Sequence, residues 1–234
     1  MKIERLHDDL YLYENRYNNP KECFKDLIKI LKNKKLNKNI NYGDIGCSNG
    51  ELIFNIFKNF KNWKITGFDV KKNLLKKAKL INPKVKFKRI DISKKKSQNE
   101  KYDIITMSGV LSIFDKPEEI LNNCLKFLKK KGSFFVFGHF NPYPIDVYIK
   151  YKELNANKNI FQSGWNIFSI KTMRKFAKKN KLKLNLFPFN IKININKNRK
   201  DVIRSWTFKD INKKNLITNG LCIIQHQYWI EFTR

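Results

Sequence analysis

The sequence has few cysteines and no long apolar run, and each shortage excludes a class of protein. The four cysteines, Cys23, Cys47, Cys124 and Cys222, are far apart, form no Cys-x-x-Cys pair and have no neighbouring histidines. They therefore predict reduced thiols, with neither a disulfide framework nor a metal site. No segment reaches the roughly 20 apolar residues of a membrane span, and the charged start MKIERLHDDL lacks a signal peptide's apolar stretch. We expect a soluble, cytoplasmic protein.

Arginine is scarce among the cations. The 234 residues carry a formal net charge of +30, yet only seven of the 50 lysines and arginines are arginine, the residue that forks around phosphate groups. A chain rich in Lys, Asn, Ile and Phe is also typical of an AT-rich coding bias. We interpret the charge mainly as a solvated surface. A patch that binds a polyanion stays open as the alternative, which makes nucleic acid a conceivable but not favoured partner.

Strand and helix patterns alternate along the first 140 residues. Five strand patterns (NINYGDIG, WKITGFDV, VKFKRIDI, KYDIITMSGVL and GSFFVFGHF) are separated by segments with apolar residues at helical spacing. This order predicts parallel strands joined by right-handed crossovers, which gives an α/β, doubly wound sheet. Ligands of such sheets bind at the carboxyl ends of the strands.

The pattern loosens after Phe140. NPYPIDVYIKYKEL and SIKTMRKFAKKN are predicted helices, whereas LKLNLFPFNIKINI and GLCIIQHQYWIEF are predicted antiparallel strands at one sheet edge. We find no repeat, low-complexity linker or clear boundary. We therefore expect a single domain with an amino-terminal cap (1–38), a ligand-binding half (39–140), and substrate-side elements with edge strands (141–234).

The stretch YGDIGCSNGELIFNIF, residues 42–57, is a glycine turn between a strand and a helix. A dinucleotide fingerprint starting at Gly46 would need glycine at Ser48 and at Glu51, and a phosphate-binding P-loop would need a following Gly-Lys-Ser/Thr. Neither pattern is present. What remains is an acidic-x-Gly-x-x-x-Gly pattern at Asp44, Gly46 and Gly50. Glycine at such a turn lets the backbone approach a ligand closely.

This motif, with acidic residues at the ends of the next two strands, resembles the class I S-adenosylmethionine-dependent methyltransferases over about residues 39–140. The resemblance implies a mostly parallel, seven-stranded Rossmann-like sheet with an antiparallel edge and an amino-terminal helical cap. It implies S-adenosylmethionine as cofactor and S-adenosylhomocysteine as product. The implied cofactor-binding residues are Arg16 in the cap, Asp44, Gly46, Cys47, Ser48 and Gly50 in the turn, Asp69 and Val70 at the ribose, Asp91 and Ile92 at the adenine, and Ser108 near the methyl group.

The sequence departs from the family pattern at one position, and three of the matching residues have alternative roles. Ser48 stands where the family often has a glycine, which leaves less room beside the methionine moiety. Asp44 could instead be a simple loop acceptor, Asp69 a helix N-cap and Asp91 a turn former. Their occurrence at three consecutive strand ends favours the cofactor site.

The absence of two sequence motifs narrows the range of possible acceptors. Methyltransferases of exocyclic base amines resemble one another in an Asn/Asp-Pro-Pro-Tyr/Phe motif after the fourth strand, where this chain has SGVLSIF, and no cysteine follows a proline as cytosine-C5 enzymes require. We therefore expect a small-molecule acceptor. His139, at the end of the fifth strand, is the candidate catalytic base. A structural histidine that bonds a loop carbonyl is the alternative.

The remaining candidates are aromatic or basic residues outside the glycine turn. Tyr11 and Tyr13 in the cap, and Trp165, Arg204 and Trp206 after the fifth strand, are predicted to bind the substrate, with core packing as the alternative. Aromatic faces with a nearby arginine suit a sugar or a phosphorylated metabolite, for example a surface-glycan precursor. We expect an O-methyltransferase. Methylation of RNA or a ribosomal protein, and a cofactor-binding protein without turnover, are the competing hypotheses.

Overall fold

The structure is a computed structural model and describes residues 7–36, 39–94, 99–154, 160–199 and 201–234. Its helices are α1 (Glu22–Asn33), α2 (Glu51–Asn59), α3 (Lys72–Ile81), α4 (Pro117–Leu125) and α5 (Ile170–Lys179), with 3₁₀ turns at His7–Leu12 and Leu111–Ile113. Its strands are β1 (Asn41–Ile45), β2 (Lys64–Asp69), β3 (Lys86–Arg89), β4 (Tyr102–Ser108), β5 (Leu128–Asn141), β6 (Lys150–Tyr151), β7 (Gln162–Ser163), β8 (Phe168–Ser169), β9 (Lys183–Phe189), β10 (Trp206–Lys209), β11 (Asn215–Thr218) and β12 (Gln227–Thr233).

The central sheet has the strand order β3-β2-β1-β4-β5-β12-β9, and β8 pairs with the end of β5. Strands β1 to β5 are parallel, while β12 runs antiparallel to both β5 and β9. This confirms the predicted α/β, doubly wound, mostly parallel sheet with an antiparallel edge. The predicted helical cap corresponds to the first 3₁₀ turn and α1. Residues 1–6 and 37–38 of that cap lie outside the described residues.

The sheet buries apolar side chains on both faces, because neighbouring strand residues point to opposite sides. On one face, β4, β5 and β12 pack with α1 and α2 through Ile104, Phe135, Trp229, Leu27 and Ile53. On the other face, they pack with α4 and α5 through Ile105, Phe134, Ile230, Leu121 and Phe176. The indole Nε1 of Trp229 donates to the Cys23 carbonyl at 3.0 Å, which fixes the start of α1 against the sheet.

The helix expected in NPYPIDVYIKYKEL is wrong. Residues 141–154 contain only β6 and an isolated bridge between Val147 and Ile167. Their backbone groups bond across to the segment before β8: Val147 N–H donates to the Ile167 carbonyl at 2.8 Å, and Ile149 N–H donates to Asn166 Oδ1 at 2.7 Å. Because these partners are distant in sequence, the local pattern did not show them.

The expected edge strands are confirmed as an antiparallel pair, β9 with β12, but each is shorter than its pattern. The alternating pattern that begins β9 continues to Ile195, whereas β9 ends at Phe189. The β10–β11 hairpin follows that segment and was not predicted. No helix in the described part of the chain is long and apolar enough to cross a membrane.

Candidate active site

The glycine turn lies between β1 and α2 and bends through three left-handed residues, with φ of +73° at Gly46, +52° at Ser48 and +82° at Gly50. The N–H groups of Gly46 and Cys47 donate to the Phe68 carbonyl of β2 at 2.8 and 2.9 Å. The turn is therefore held against the neighbouring strand by its own backbone.

Protein neighbours explain both glycines of this turn. A Cβ at Gly46 would lie 2.3 Å from Cγ2 of Val110. A Cβ at Gly50 would lie 2.9 Å from Nδ2 of Asn82 and 3.1 Å from Cβ of Ala78. The sequence suggested that a ligand demands these glycines. In the structure, the chain's own packing already requires them.

Asp44 at the end of β1 is buried and accepts a 2.7 Å hydrogen bond from the Thr106 hydroxyl of β4. Burial raises the pKa of its carboxyl to about 7, with the Thr106 bond opposing the shift and the charge of Asp69 adding to it. Asp44 therefore titrates near neutral pH. The thiol of Cys47 is also buried, and this burial raises its pKa well above the ordinary value, so Cys47 is not a nucleophilic thiolate.

Asp69 at the end of β2 supports the glycine turn directly. Its Oδ2 accepts from Ser48 N–H at 2.8 Å and its Oδ1 accepts from Lys71 N–H at 2.9 Å. The aspartate therefore positions the turn at the end of β2.

Asp91 and Ile92 follow β3. The Oδ1 of Asp91 accepts from both the N–H and the hydroxyl of Ser93, at 3.1 and 2.6 Å, so the residue also shapes a turn. Ile92 is buried, and Val70 after β2 is half exposed. Arg89, which sequence reasoning missed, reaches across to donate from Nε to the Val70 carbonyl at 3.0 Å.

A single cavity of about 1220 Å³ runs along these strand ends and continues over β5, β12 and β9. All but three of the predicted site residues line it: Tyr11, Arg16, Asp44, Gly46, Cys47, Ser48, Asp69, Val70, Asp91, Ile92, Ser108, His139, Trp165 and Arg204. Among the described residues, no group of three or more His, Cys, Asp or Glu could hold a metal ion.

Three predicted residues lie outside the cavity lining. Tyr13 is 84% exposed, so its ring points into solvent at the surface. Trp206 lies in β10, where the ammonium of Lys197 is 4.9 Å from its ring centroid. Gly50 begins α2 and packs on α3, as described above. The assignment of these three residues to the site stays a prediction.

The amino-terminal segment is tied over the glycine turn by backbone bonds. Arg16 N–H donates to Oε1 of Glu51 at 2.8 Å, and Nδ2 of Asn49 donates to the Tyr11 carbonyl at 2.9 Å. Lys77 of α3 donates to the carbonyls of Leu12 and Glu14 at 2.6 and 2.7 Å. These bonds bring Tyr11 and Arg16 to the cavity wall.

Arg204 is paired with two carboxylates. Its guanidinium forms ion pairs with Glu14 and, at 2.9 Å, with Asp201. Lys21 lies 3.1 Å from the other oxygen of Glu14. Burial raises the pKa of Glu14, but the charges of Lys21 and Arg204 outweigh it and bring the pKa below the ordinary value. Sequence reasoning missed Glu14 because its partner Arg204 is far away in the chain. It missed Asp201 because the turn that joins Asp201 to Arg204 was not predicted.

His139 lies near the end of β5 and is 8% exposed. Its ring centroid is 5.6 Å from that of Trp165. Burial lowers the pKa of the imidazole to about 4, so it is neutral at pH 7. Its buried Nδ1 has no hydrogen-bond partner in the described part of the chain. His139 also pairs in register with Gln227 of β12, which lines the cavity beside it.

Comparisons with known proteins agree with this architecture. Residues 44–134 match the model of a family described as a methyltransferase domain. A malonyl-[acyl-carrier protein] O-methyltransferase of Halalkalibacterium halodurans is 32% identical over 105 residues, which are 42% of this chain. The match spans only 38% of that relative's length.

Solved structures share the fold at low sequence identity. The YcgJ protein of Bacillus subtilis superposes with a TM-score of 0.61 and 12% identity, over 90% of this chain and 97% of that one. An S-adenosylmethionine-dependent methyltransferase of Methanosarcina mazei gives 0.60 and 13%, over 88% and 96%. These structures show the shared fold, and the methyltransferase-domain family is matched over residues 44–134.

Proposed function

We propose that the protein transfers a methyl group from S-adenosylmethionine to an oxygen atom of a small-molecule acceptor. The observation that carries this proposal is the continuous cavity, which joins the carboxylates at the ends of β1, β2 and β3 to His139 on β5. A donor and an acceptor can therefore share one enclosed space, as methyl transfer requires.

The residues present fit the cofactor. Asp69 lines the cavity with a carboxylate that can accept from the ribose hydroxyls, and Asp91 with Ile92 offers an acceptor and an apolar surface for the adenine. The buried hydroxyl of Ser48 has no partner in the described part of the chain and lies at the cavity, where a polar group of the cofactor would satisfy it. Arg16 supplies a cation for the methionine carboxylate.

The cofactor supplies a methyl group on a positively charged sulfur, which is already activated for displacement. The chain must then align the acceptor and remove its proton. His139 is neutral at pH 7, and its Nδ1 has no partner in the described part of the chain, so it is the candidate acceptor of that proton, although its lowered pKa makes it a weaker base than a free imidazole.

Two observations bear on the acceptor. The Halalkalibacterium relative is an O-methyltransferase, which supports transfer to oxygen. The sugar or phosphorylated-metabolite hypothesis depends on Arg204, which is already paired with Glu14 and Asp201. This pairing weakens the phosphate version, and the sugar version stays a prediction. Methylation of RNA or a ribosomal protein is supported by the net charge alone.

The cofactor proposal is tested by calorimetry with S-adenosylmethionine and S-adenosylhomocysteine, with NADH as the control ligand. Saturable one-to-one binding of the first two ligands only is the expected result. Asp69→Ala should weaken S-adenosylhomocysteine binding by about 1.5–3 kcal/mol, since a hydrogen bond to a charged group is lost. Asp210→Ala is the matched control, because the Asp210 carboxylate accepts from Lys214 N–H in a turn outside the cavity. Equal affinities in both variants would contradict the ribose assignment.

Because Asp69 also supports the turn, a second comparison isolates the ribose contact. Wild-type protein should bind adenosine more tightly than 2′,3′-dideoxyadenosine, and Asp69→Ala should lose that preference. A preference that survives the substitution would assign Asp69 a purely structural role.

The base is tested by His139→Ala, which should lower turnover by about 10²–10⁴-fold once an acceptor is in hand. His226→Ala is the matched control, since His226 is exposed and does not line the cavity. A change of less than about threefold in His139→Ala would rule out general-base catalysis by this residue.

A further inference from the structure

The far wall of the cavity is built from alternating apolar residues. Residues 189–195, which we call the isoleucine strap, extend beyond the end of β9. Phe189, Ile191, Ile193 and Ile195 line the cavity. The intervening residues Asn190, Lys192 and Asn194 are exposed and absent from its lining. One side of the strap therefore faces the cavity with hydrocarbon alone, although it lies past the sheet edge.

The isoleucine strap is held in place from outside. Ile195 N–H donates to the Thr207 hydroxyl at 2.8 Å, and Thr207 N–H donates to the Ile195 carbonyl at 3.0 Å. The side-chain amide of Asn215 donates to the Ile193 carbonyl at 3.1 Å. The β10–β11 hairpin thus fixes the backbone of the strap and adds the buried Ile217 to the cavity lining.

The apolar side chains of the strap are only partly buried by the rest of the protein. Phe189 packs edge-on against Phe137 of β5, with ring centroids 5.5 Å apart, and Ile191 is buried. Ile193 is 46% exposed despite lining the cavity. An aliphatic side chain gains stability when it leaves water. A ligand with apolar surface would complete the burial of Ile193.

Two polar residues stand beside the start of the isoleucine strap. His139 and Gln227 are paired across β5 and β12, and Gln227 is paired in turn with Phe189 of β9. Paired residues of adjacent strands project to the same face of a sheet. A polar position therefore stands directly beside the start of the apolar strap.

Two cations near this end, Arg204 and Lys21, are already neutralised. Arg204 is paired with Glu14 and Asp201, and Lys21 with Glu14. An anionic acceptor would have to displace these partners, whereas an apolar one would not. The cavity of about 1220 Å³ also exceeds the usual range of about 300–1,000 Å³ for one ligand, so it has room for a cofactor and an acceptor together.

We propose that the acceptor carries an aliphatic chain that lies against the isoleucine strap, with its reacting oxygen at His139 and Gln227. This inference rests on the proposed function and names its substrate class. The chain's own geometry then sets specificity: the strap selects hydrocarbon, and the paired polar residues select the oxygen to be methylated.

The test is calorimetry of the protein saturated with S-adenosylhomocysteine, using 1-hexanol, 1-octanol and 1-decanol as probes. These alcohols are uncharged, so the net charge of the protein does not contribute to their binding. Affinity should rise by about fourfold for each added methylene, because each buried methylene contributes a similar transfer free energy. Glucose 6-phosphate should bind far more weakly than 1-decanol.

A matched pair of variants locates the binding site. Ile193→Ser should weaken 1-decanol binding by about fivefold or more, whereas Ile224→Ser should change it by less than about twofold. Ile224 is a suitable control because it has the same exposed fraction, 46%, and lies outside the cavity lining. Affinities that do not depend on chain length, or equal effects of the two variants, would overturn the proposal.

The outcomes also separate this inference from the proposed function. S-adenosylhomocysteine binding with no chain-length dependence would retain the methyltransferase proposal and reject the aliphatic acceptor. If S-adenosylhomocysteine failed to bind, the same alcohol series on the free protein would show whether the strap is a hydrocarbon site in its own right. If Ile193→Ser then weakened alcohol binding more than Ile224→Ser did, the methyl-transfer proposal would be rejected and the hydrocarbon site would be retained.

Discussion

The two ends of the cavity are built by different means. At the cofactor end, backbone N–H groups and carboxylates make the wall: Gly46 and Cys47 bond to β2, and Asp69 accepts from Ser48. At the acceptor end, the wall is hydrocarbon from the isoleucine strap and from Phe137. The first end depends on a few special backbone conformations, and the second depends on which side of an extended segment faces inward.

The two ends of the cavity differ in the substitutions that they tolerate. A left-handed turn against a packed neighbour allows almost no replacement, since strain and collision act together. An extended strap with a half-exposed side chain permits substitutions that change ligand choice while leaving the fold intact. Cofactor binding and substrate choice can therefore vary separately in this protein.

The sharpest test of the comparison uses two glycines of the cavity wall with nearly the same positive φ. Gly46 (φ +73°) would place a Cβ 2.3 Å from Val110, whereas Gly109 (φ +72°) has nothing within 4 Å of that position. Gly46→Ala should lower the free energy of unfolding by about 3 kcal/mol or more, through strain and overpacking. Gly109→Ala should cost only the strain, about 1 kcal/mol.

Urea unfolding of the unliganded variants measures both values. Adding Val110→Ala to Gly46→Ala should recover part of the loss. Equal losses at the two glycines would mean that strain alone governs the turn.

A second prediction concerns His139, the buried histidine that lies between the two ends of the cavity. The pKa of His139 is about 4 when folded, below the unfolded value of about 6.5, so the unfolded state binds more protons between these values. The stability contributed by this site is therefore present above pH 6.5 and is lost as pH falls toward 4. His139→Gln should gain about 2 kcal/mol of unfolding free energy relative to wild type when the pH drops from 7 to 4.5.

Asp44 acts in the opposite direction, because its folded pKa of about 7 is above its unfolded value. Its contribution is present at low pH and is lost as pH rises toward 7. The two slopes oppose each other in wild-type protein, and His139→Gln should expose the Asp44 slope. His226→Gln is the control and should follow wild type within about 0.5 kcal/mol. If the difference in unfolding free energy between His139→Gln and wild type did not change with pH, the imidazole would lie in a more polar environment than its burial indicates.

The smallest expected effect is at the acceptor end. Ile193→Ser should change the free energy of unfolding by about 0.5 kcal/mol or less, because its side chain is 46% exposed. The same variant is expected to weaken alcohol binding, so stability and ligand choice separate at this residue. A loss above about 2 kcal/mol by urea unfolding would make Ile193 a core residue.

Much of the fold followed from sequence patterns, since five alternating strand and helix segments permit few arrangements. The helix expected after Phe140 was wrong because its backbone bonds to residues 166 and 167. The cofactor-side residues could be found because each ends a strand in a short motif. Glu14 and Asp201 could not, since their importance comes from Arg204, which is 190 residues from Glu14.

The sequence alone therefore determined the order of the elements up to β5, the glycine turn and the acidic residues at the strand ends, because these depend on local periodicity and on backbone conformations that only a few residue types adopt. The tertiary structure decided which neighbours the glycines must avoid, that Arg204 is neutralised, that His139 is buried and neutral, and that the alternating residues past β9 form a cavity wall. Those properties depend on distances between segments far apart in the chain, which no local pattern contains.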